Sequence, residues 1–155
     1  MDSKAIKAIG ILEARAAQDV LELQKLSYRI EADLIGSNLI PGLHETLAQL
    51  QESGETFYGF FEAQILCGAI SYKLEHHTLD IHRLVVHPDH FRKGIARSLL
   101  EFVLKLELHA KRCIVQTGAL NLPAIGLYQK MGFLELEQLE VIPGLWICTL
   151  EKMLF

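Results

Sequence analysis

The apolar positions change period several times along the chain, and each change marks an element. Ile9 to Arg15 reads as a short first strand, with Asp19, after Ala16-Ala17-Gln18, capping a helix that carries Val20, Leu23, Leu26 and Ile30 at helical spacing. Ile35 to Gly42, with Gly36, Ser37, Asn38 and Pro41, breaks that helix into a loop. A second helix is predicted from about Leu43 to Gln51, ending at Ser53-Gly54. From Thr56 the period becomes two. Phe57 to Glu62, Gln64 to Leu74 and Thr78 to His87 read as an antiparallel meander. Its third strand must stop at His87, because Pro88 lacks the amide a ladder needs.

Gly94 then opens an amphipathic helix with Ile95, Leu99, Phe102, Val103 and Leu106 on one face, followed by a buried-type strand, Arg112 to Thr117. Strand, helix and strand make a crossover, so the flanking strands run parallel. A helix from Asn121 to Met131 stops at Gly132. Two last strands, Phe133 to Glu140 and Leu145 to Leu150, are separated by Pro143-Gly144. The predicted order is β-α-α-β-β-β-α-β-α-β-β, without repeat or linker, which gives one mixed α/β domain over residues 1–155. The last strand, with Trp146, reads as an edge that offers pairing between subunits in a homodimer.

Composition narrows the function classes. With 15 basic and 19 acidic residues the net charge is -4, the wrong sign for a surface built on phosphate neutralisation, so nucleic acid is not an expected partner. The longest uncharged stretch, Cys113 to Gln129, is interrupted by Gln116, Asn121 and Pro123 and cannot span a bilayer. Met1 to Ala17 lacks the apolar centre of a signal peptide, so the expected compartment is the cytoplasm. Cys67, Cys113 and Cys148 lie far apart in apolar segments and read as small buried hydrophobes. His76, His77, His82, His87 and His90 straddle both faces and both ends of one strand, so no metal site is expected.

Two segments carry candidate chemistry. In the first, the strand Leu84-Val85-Val86 leads through His87-Pro88 and the basic loop at Arg92-Lys93 into a helix beginning Gly94-Ile95-Ala96-Arg97. The first amides of a helix have no intrahelical partner and lie at the positive end of its dipole, so with the small Gly94 and Ala96 they form an anion cradle. In the second, Asn121, Ala124 and Tyr128 stand at i, i+3 and i+7, putting one polar group, one small residue and one phenol on a helix stripe. Alternation on the strand Thr78 to His87 puts Asp80, His82, Leu84 and Val86 on one face. Glu135, Glu137 and Glu140 alternate along a later strand and read as its solvated face.

Together, Val86-His87-Pro88, Arg92-Lys93-Gly94-Ile95-Ala96, then Asn121, Ala124, Tyr128 and Gly132-Phe133 resemble the GCN5-related N-acetyltransferase (GNAT) superfamily from Leu79 to Phe133. The resemblance implies a mixed, mostly antiparallel sheet of about seven strands flanked by four helices. It implies acetyl-CoA as acyl donor, held by Leu84, Val85, Val86, Arg92, Lys93, Gly94, Ile95, Ala96, Arg97, Asn121, Ala124 and Tyr128. The acceptor it implies is a small-molecule or peptide amine, and the activity N-acetyl transfer. An acyl-CoA-binding sensor without turnover is the alternative. The Val86 amide would stabilise the carbonyl oxygen and Tyr128 would be the general acid. His82 or Asp80 would take the place of the glutamate base such chains often carry. His82 ranks first, because an imidazole ordinarily titrates near ~6.5.

Overall fold

The computed structural model describes residues 4–40 and 42–154, so Pro41, expected in the first loop, lies outside the described residues. Strand β1 (Lys4–Ile9), helices α1 (Ala14–Ile35) and α2 (Leu47–Gln51), and strands β2 (Thr56–Glu62), β3 (Ile65–Glu75) and β4 (Thr78–Val86) come first. A 3-10 turn (Pro88–His90), α3 (Ile95–Leu106), β5 (Arg112–Gly118), α4 (Leu122–Lys130), β6 (Leu134–Ile142) and β7 (Leu145–Met153) complete the chain. The strands form one seven-stranded sheet in the order β1-β2-β3-β4-β5-β7-β6. It is antiparallel everywhere except between β4 and β5, the pair the crossover predicts to be parallel.

The two ends of the chain depart from the periodicity. β1 ends at Ile9, where a strand was expected to begin. Ala14, Arg15, Ala16 and Ala17 are strong helix formers, and they extend α1 back to Glu13, so Asp19 lies inside the helix instead of capping it. The buried residues of α1 are Ala17, Val20, Leu21, Leu23, Gln24 and Ala32, so Val20 and Leu23 face inward as expected, while Leu26 and Ile30 face solvent. α2 starts at Leu47 because Thr46 and Gln49 form a reciprocal capping box. At the other end β7 is not an edge. It sits between β5 and β6, and β6 forms the border with every residue exposed, so the expected pairing of subunits through β7 has no free edge to use.

α3 and α4 cover one face of the sheet. Ile95, Leu99, Leu100 and Val103 of α3 pack with Ile70, Tyr72, Leu79 and Ile81, each burial stabilising by about 1.5–3 kcal/mol before entropy is counted. α1 and α2 cover the other face, over Phe57, Ala69 and Val85. Both turns of the meander are two-residue turns with positive φ, Ala63-Gln64 and His76-His77, the geometry that matches strand twist.

Two irregularities create the site. β4 and β5 pair only over Thr78–Ile81 with Arg112–Val115, and beyond that point β5 continues against β7 alone, so the sheet splits. At the same level Tyr72 pairs with Ile81 but Ser71 with Arg83, which leaves His82 as a β-bulge. The bulge breaks the alternation expected for β4. Leu84 and Val86 pack toward α3, as do Leu79 and Ile81, whereas Val85 packs beneath α1. Asp80 does not share a face with Leu84 and Val86.

Candidate active site

The split leaves part of β4 with an unpaired edge. The His87 amide donates to the Cys67 carbonyl at 2.8 Å, and in an antiparallel ladder such bonds recur at every second residue. The backbone groups of Val85 therefore also turn to β3, and those of Leu84 and Val86 turn to the cleft. Val85 offers the cleft neither its backbone nor its buried side chain. At the end of this edge stands the N-terminus of α3. Gly94 caps it in the left-handed region (φ 76) with no side-chain cap, and its carbonyl accepts from Ser98 at 2.9 Å. Among the described residues the amides of Ile95, Ala96 and Arg97 donate to no protein acceptor. A Cβ at Gly94 would meet nothing within 4 Å, so the backbone at the head of the helix borders open space. Arg92 (φ 65) and Lys93 flank them in solvent, while Arg97 turns along the helix to Glu101 at 2.8 Å.

Where the strands part lies a cavity of about 380 Å³. Asn121, Ala124 and Tyr128 all line it, as the helix stripe predicts. Asn121 is also the α4 cap, its Oδ1 accepting from the Ala124 amide at 3.3 Å while its Nδ2 donates to Thr117 Oγ1 at 3.3 Å. The Tyr128 ring is buried beside Phe133, with centroids 5.7 Å apart. Among the described residues its hydroxyl bonds to no protein group. Burial, then the negative charge of Glu31, pushes the Tyr128 hydroxyl pKa well up, so the phenol keeps its proton at neutral pH. His82 reaches the cavity and Asp80 does not. The Asp80 carboxylate stands 3.4 Å from His82 Nε2, and Glu55 stands 3.5 Å from His82 Nδ1, so the imidazole is held between two acids.

The periodicity did not single out Glu31 and Tyr28, which reach the same cavity from α1. Tyr28 and Glu31 follow the buried Gln24 at i+4 and i+7, a polar stripe that apolar periodicity does not mark. Burial pushes the Glu31 carboxyl up, and the Asn121 side chain and Gly118 backbone partly offset this. Burial likewise raises the Tyr28 hydroxyl.

A second unforeseen feature supports the floor. Arg83, beside the bulge, donates from Nε to Glu55 Oε1 at 2.8 Å and from Nη2 to Glu55 Oε2 at 3.2 Å and Glu45 Oε2 at 3.1 Å. Its Nη1 donates to Gln24 Oε1 at 3.0 Å and also to Glu45. Ser71 donates to Glu55 at 2.6 Å and Gln24 to Glu45 at 2.7 Å. Burial works against the Glu55 charge, but the bonds from Arg83 and Ser71 outweigh it and hold its carboxyl below the usual 4.5. A depressed carboxyl stabilises the fold above its unfolded pKa, and that stability is lost as pH falls through the folded value. The melting temperature should therefore fall as pH drops below 4.5, more steeply in the parent than in Glu55→Gln, measured by thermal denaturation across pH. Equal slopes would remove Glu55 from this role.

The histidines divide among different tasks. His76 and His77 form a turn, His82 lines the cavity, and the His87 ring accepts from the Asp89 amide at 3.1 Å. Among the described residues, the potential metal donors that come together are Glu62, Cys67 and His90, within 4.8 Å of one another. They come from β2, β3 and the 3-10 turn, and no spacing along the chain groups them. The three cysteines are buried and unpaired, and burial pushes the Cys113 thiol up to about 12. No helix among the described residues is long and apolar enough to cross a membrane.

The profile described as Acetyltransferase (GNAT) family matches residues 17–133, spanning α1, the split strands, the α3 cradle and α4. The chain belongs to the GNAT acetyltransferase family. Among curated proteins this GNAT chain is similar to UPF0157 protein YqkA of Bacillus subtilis (strain 168), 42% identical over 133 residues. That match covers 86% of the chain and 39% of YqkA, so the chain spans about two fifths of that relative's length. The GNAT fold is shared with solved structures at low identity. The ribosomal-protein-S18-alanine N-acetyltransferase of Escherichia coli superposes with a TM-score of 0.74 at 14% identity, covering 96% of this chain and 92% of that one. The PaiA N-acetyltransferase of Thermoplasma acidophilum, in complex with coenzyme A, gives 0.73 at 20% identity, covering 98% and 99%. YncA of Salmonella typhimurium, with its cofactor acetyl-CoA, gives 0.70 at 16% identity, covering 97% and 93%.

Proposed function

We propose that the chain is an acetyl-CoA-dependent N-acetyltransferase that acts on a primary amine by direct attack within a ternary complex. The observation that carries this is continuity. Free amides at the start of α3, the unpaired edge of Leu84 and Val86, and the Tyr128 hydroxyl follow one another along the split. Family membership and relatives that hold coenzyme A or acetyl-CoA support the choice of ligand. These residues fit the group: the α3 amides, helped by Arg92 and Lys93, take the pyrophosphate, while Leu84, Val86 and Asn121 take the amide-bearing arm.

Bound acetyl-CoA supplies a thioester: the amine nitrogen forms the new C–N bond, the C–S bond breaks, and the sulfur leaves with the electron pair. The amine must give up one proton and the sulfur must gain one. Tyr128 holds a proton at its hydroxyl and is the donor. The Val86 amide, pointing into the cleft, donates to the carbonyl oxygen as negative charge develops there. His82 takes the proton of the amine once a ring nitrogen turns from its acid, since Nε2 faces Asp80 at 3.4 Å and Nδ1 faces Glu55 at 3.5 Å.

Gly94→Val tests the ligand assignment. Its left-handed φ is one that a β-branched residue resists, and the new side chain would enter the open space at the head of the helix. At a hundredfold excess over Kd, coenzyme A should stabilise the parent by about 2.7 kcal/mol, and this gain should disappear in the variant, measured by thermal shift. Equal shifts in both proteins would overturn the cradle.

A further inference from the structure

We infer that Glu31 is the anchor for the acceptor's ammonium group, and that the acceptor is a primary amine on an uncharged apolar body with no carboxylate beside the amine. Glu31 lines the cavity, and its Oε1 comes within 3.8 Å of where a Cβ on Gly118 would stand, at the end of β5. Among the described residues it forms no ion pair. Tyr28 and Tyr128, whose rings attract cations, line the cavity with it. A cation entering here therefore meets a carboxylate that is held by the Asn121 side chain and the Gly118 backbone but has no cationic partner, in a partly buried cavity where a charge pair is stronger than in water.

The absence of a carboxylate on the acceptor follows from Arg83. It is the arginine of the cavity lining, and a guanidinium has five N–H donors. All five are engaged, two with Glu55, two with Glu45 and one with Gln24. The other basic side chain of the lining, His82, lies between Glu55 and Asp80. A substrate carboxylate beside the amine would find no free donor on Arg83 and would be repelled by Glu31. The apolar body has its own wall: Ile35 and Ile40 on one side, and Leu139, Val141 and Ile147 of the β6–β7 hairpin on the other.

This inference rests on the acetyl-transfer reading for the fate of the amine, but not for its binding, and the test separates the two. Leucinamide and leucine have the same side chain and amine and differ in the carboxylate. Binding of each to the cofactor-free chain is measured by calorimetry, for the parent and for Glu31→Gln, with melting curves to establish that the variant is folded. The parent should bind leucinamide at least tenfold more tightly than leucine, and Glu31→Gln should lose at least tenfold for leucinamide. Leucine binding as tightly as leucinamide, unchanged binding in the variant, or no binding of leucinamide by the parent would each overturn the inference. Should Glu31→Gln not fold, the comparison of the two ligands on the parent decides. Binding with the expected pattern but no thiol release from acetyl-CoA would sink the transferase reading and leave the amine anchor standing.

Discussion

Arg83→Met is expected to lower the stability of the chain by about 3–5 kcal/mol, the cost typical of leaving a buried charge without its partner. The variant would strand two carboxylates, Glu45 and Glu55, whose side chains are only 14% and 7% exposed. For a chain of this size the corresponding fall in melting temperature is on the order of 10 °C. Arg83→Lys should lose less but still a substantial part, since an ammonium keeps the charge without the fork that engages both acids. Adding Glu45→Gln and Glu55→Gln to Arg83→Met should recover much of the loss, because the stranded charges go with them. Thermal and denaturant melts measure all three. A loss below about 1 kcal/mol for Arg83→Met would place the cluster among weak surface pairs and contradict the account. The effect should extend to the site, because Arg83 follows the bulged His82 and lines the same cavity.

Tyr128→Phe should lower turnover by about 10²-fold or more, equivalent to roughly 2.7 kcal/mol of barrier, while leaving coenzyme A binding and stability nearly unchanged. The separation is expected because the ring does the packing, against Phe133, and the hydroxyl holds no partner among the described residues. Phenylalanine keeps the first and removes only the second. Calorimetric binding beside single-turnover kinetics reads both. Unchanged turnover would remove Tyr128 as the proton donor, and loss of binding would show that its hydroxyl serves the ligand and not the leaving group.

The parts of the site that local sequence fixes were legible. Pro88 ends a strand and Gly94 begins a helix for reasons contained in a few residues, and Asn121, Ala124 and Tyr128 are aligned by helix geometry alone. The remaining features depend on pairing across the chain. The bulge at His82 exists only because Ser71 faces Arg83 while Tyr72 faces Ile81, so strict alternation put Asp80 on the wrong face. The Arg83 cluster joins side chains as far apart as Gln24 and Arg83, 59 residues distant, and no window along the chain shows it. Glu31 was obscured differently. Its stripe, Gln24, Tyr28 and Glu31, is polar, whereas the apolar spacing runs from the buried Val20 and Leu23 to Leu26 and Ile30, which are exposed. Sequence order makes the last strand an edge, whereas β7 inserts beside β5 and leaves β6 outside.

Acetyl transfer to an amine is read by thiol release. The chain is incubated with acetyl-CoA and, separately, with phenethylamine, leucinamide and a short peptide bearing a free N-terminus. Free thiol is followed with time and acetylated product by mass spectrometry. Release should require an amine, match product one for one and fall about 10²-fold in Tyr128→Phe. Tight coenzyme A binding with no amine-dependent release for any acceptor would contradict acetyl transfer and leave the chain an acyl-CoA sensor.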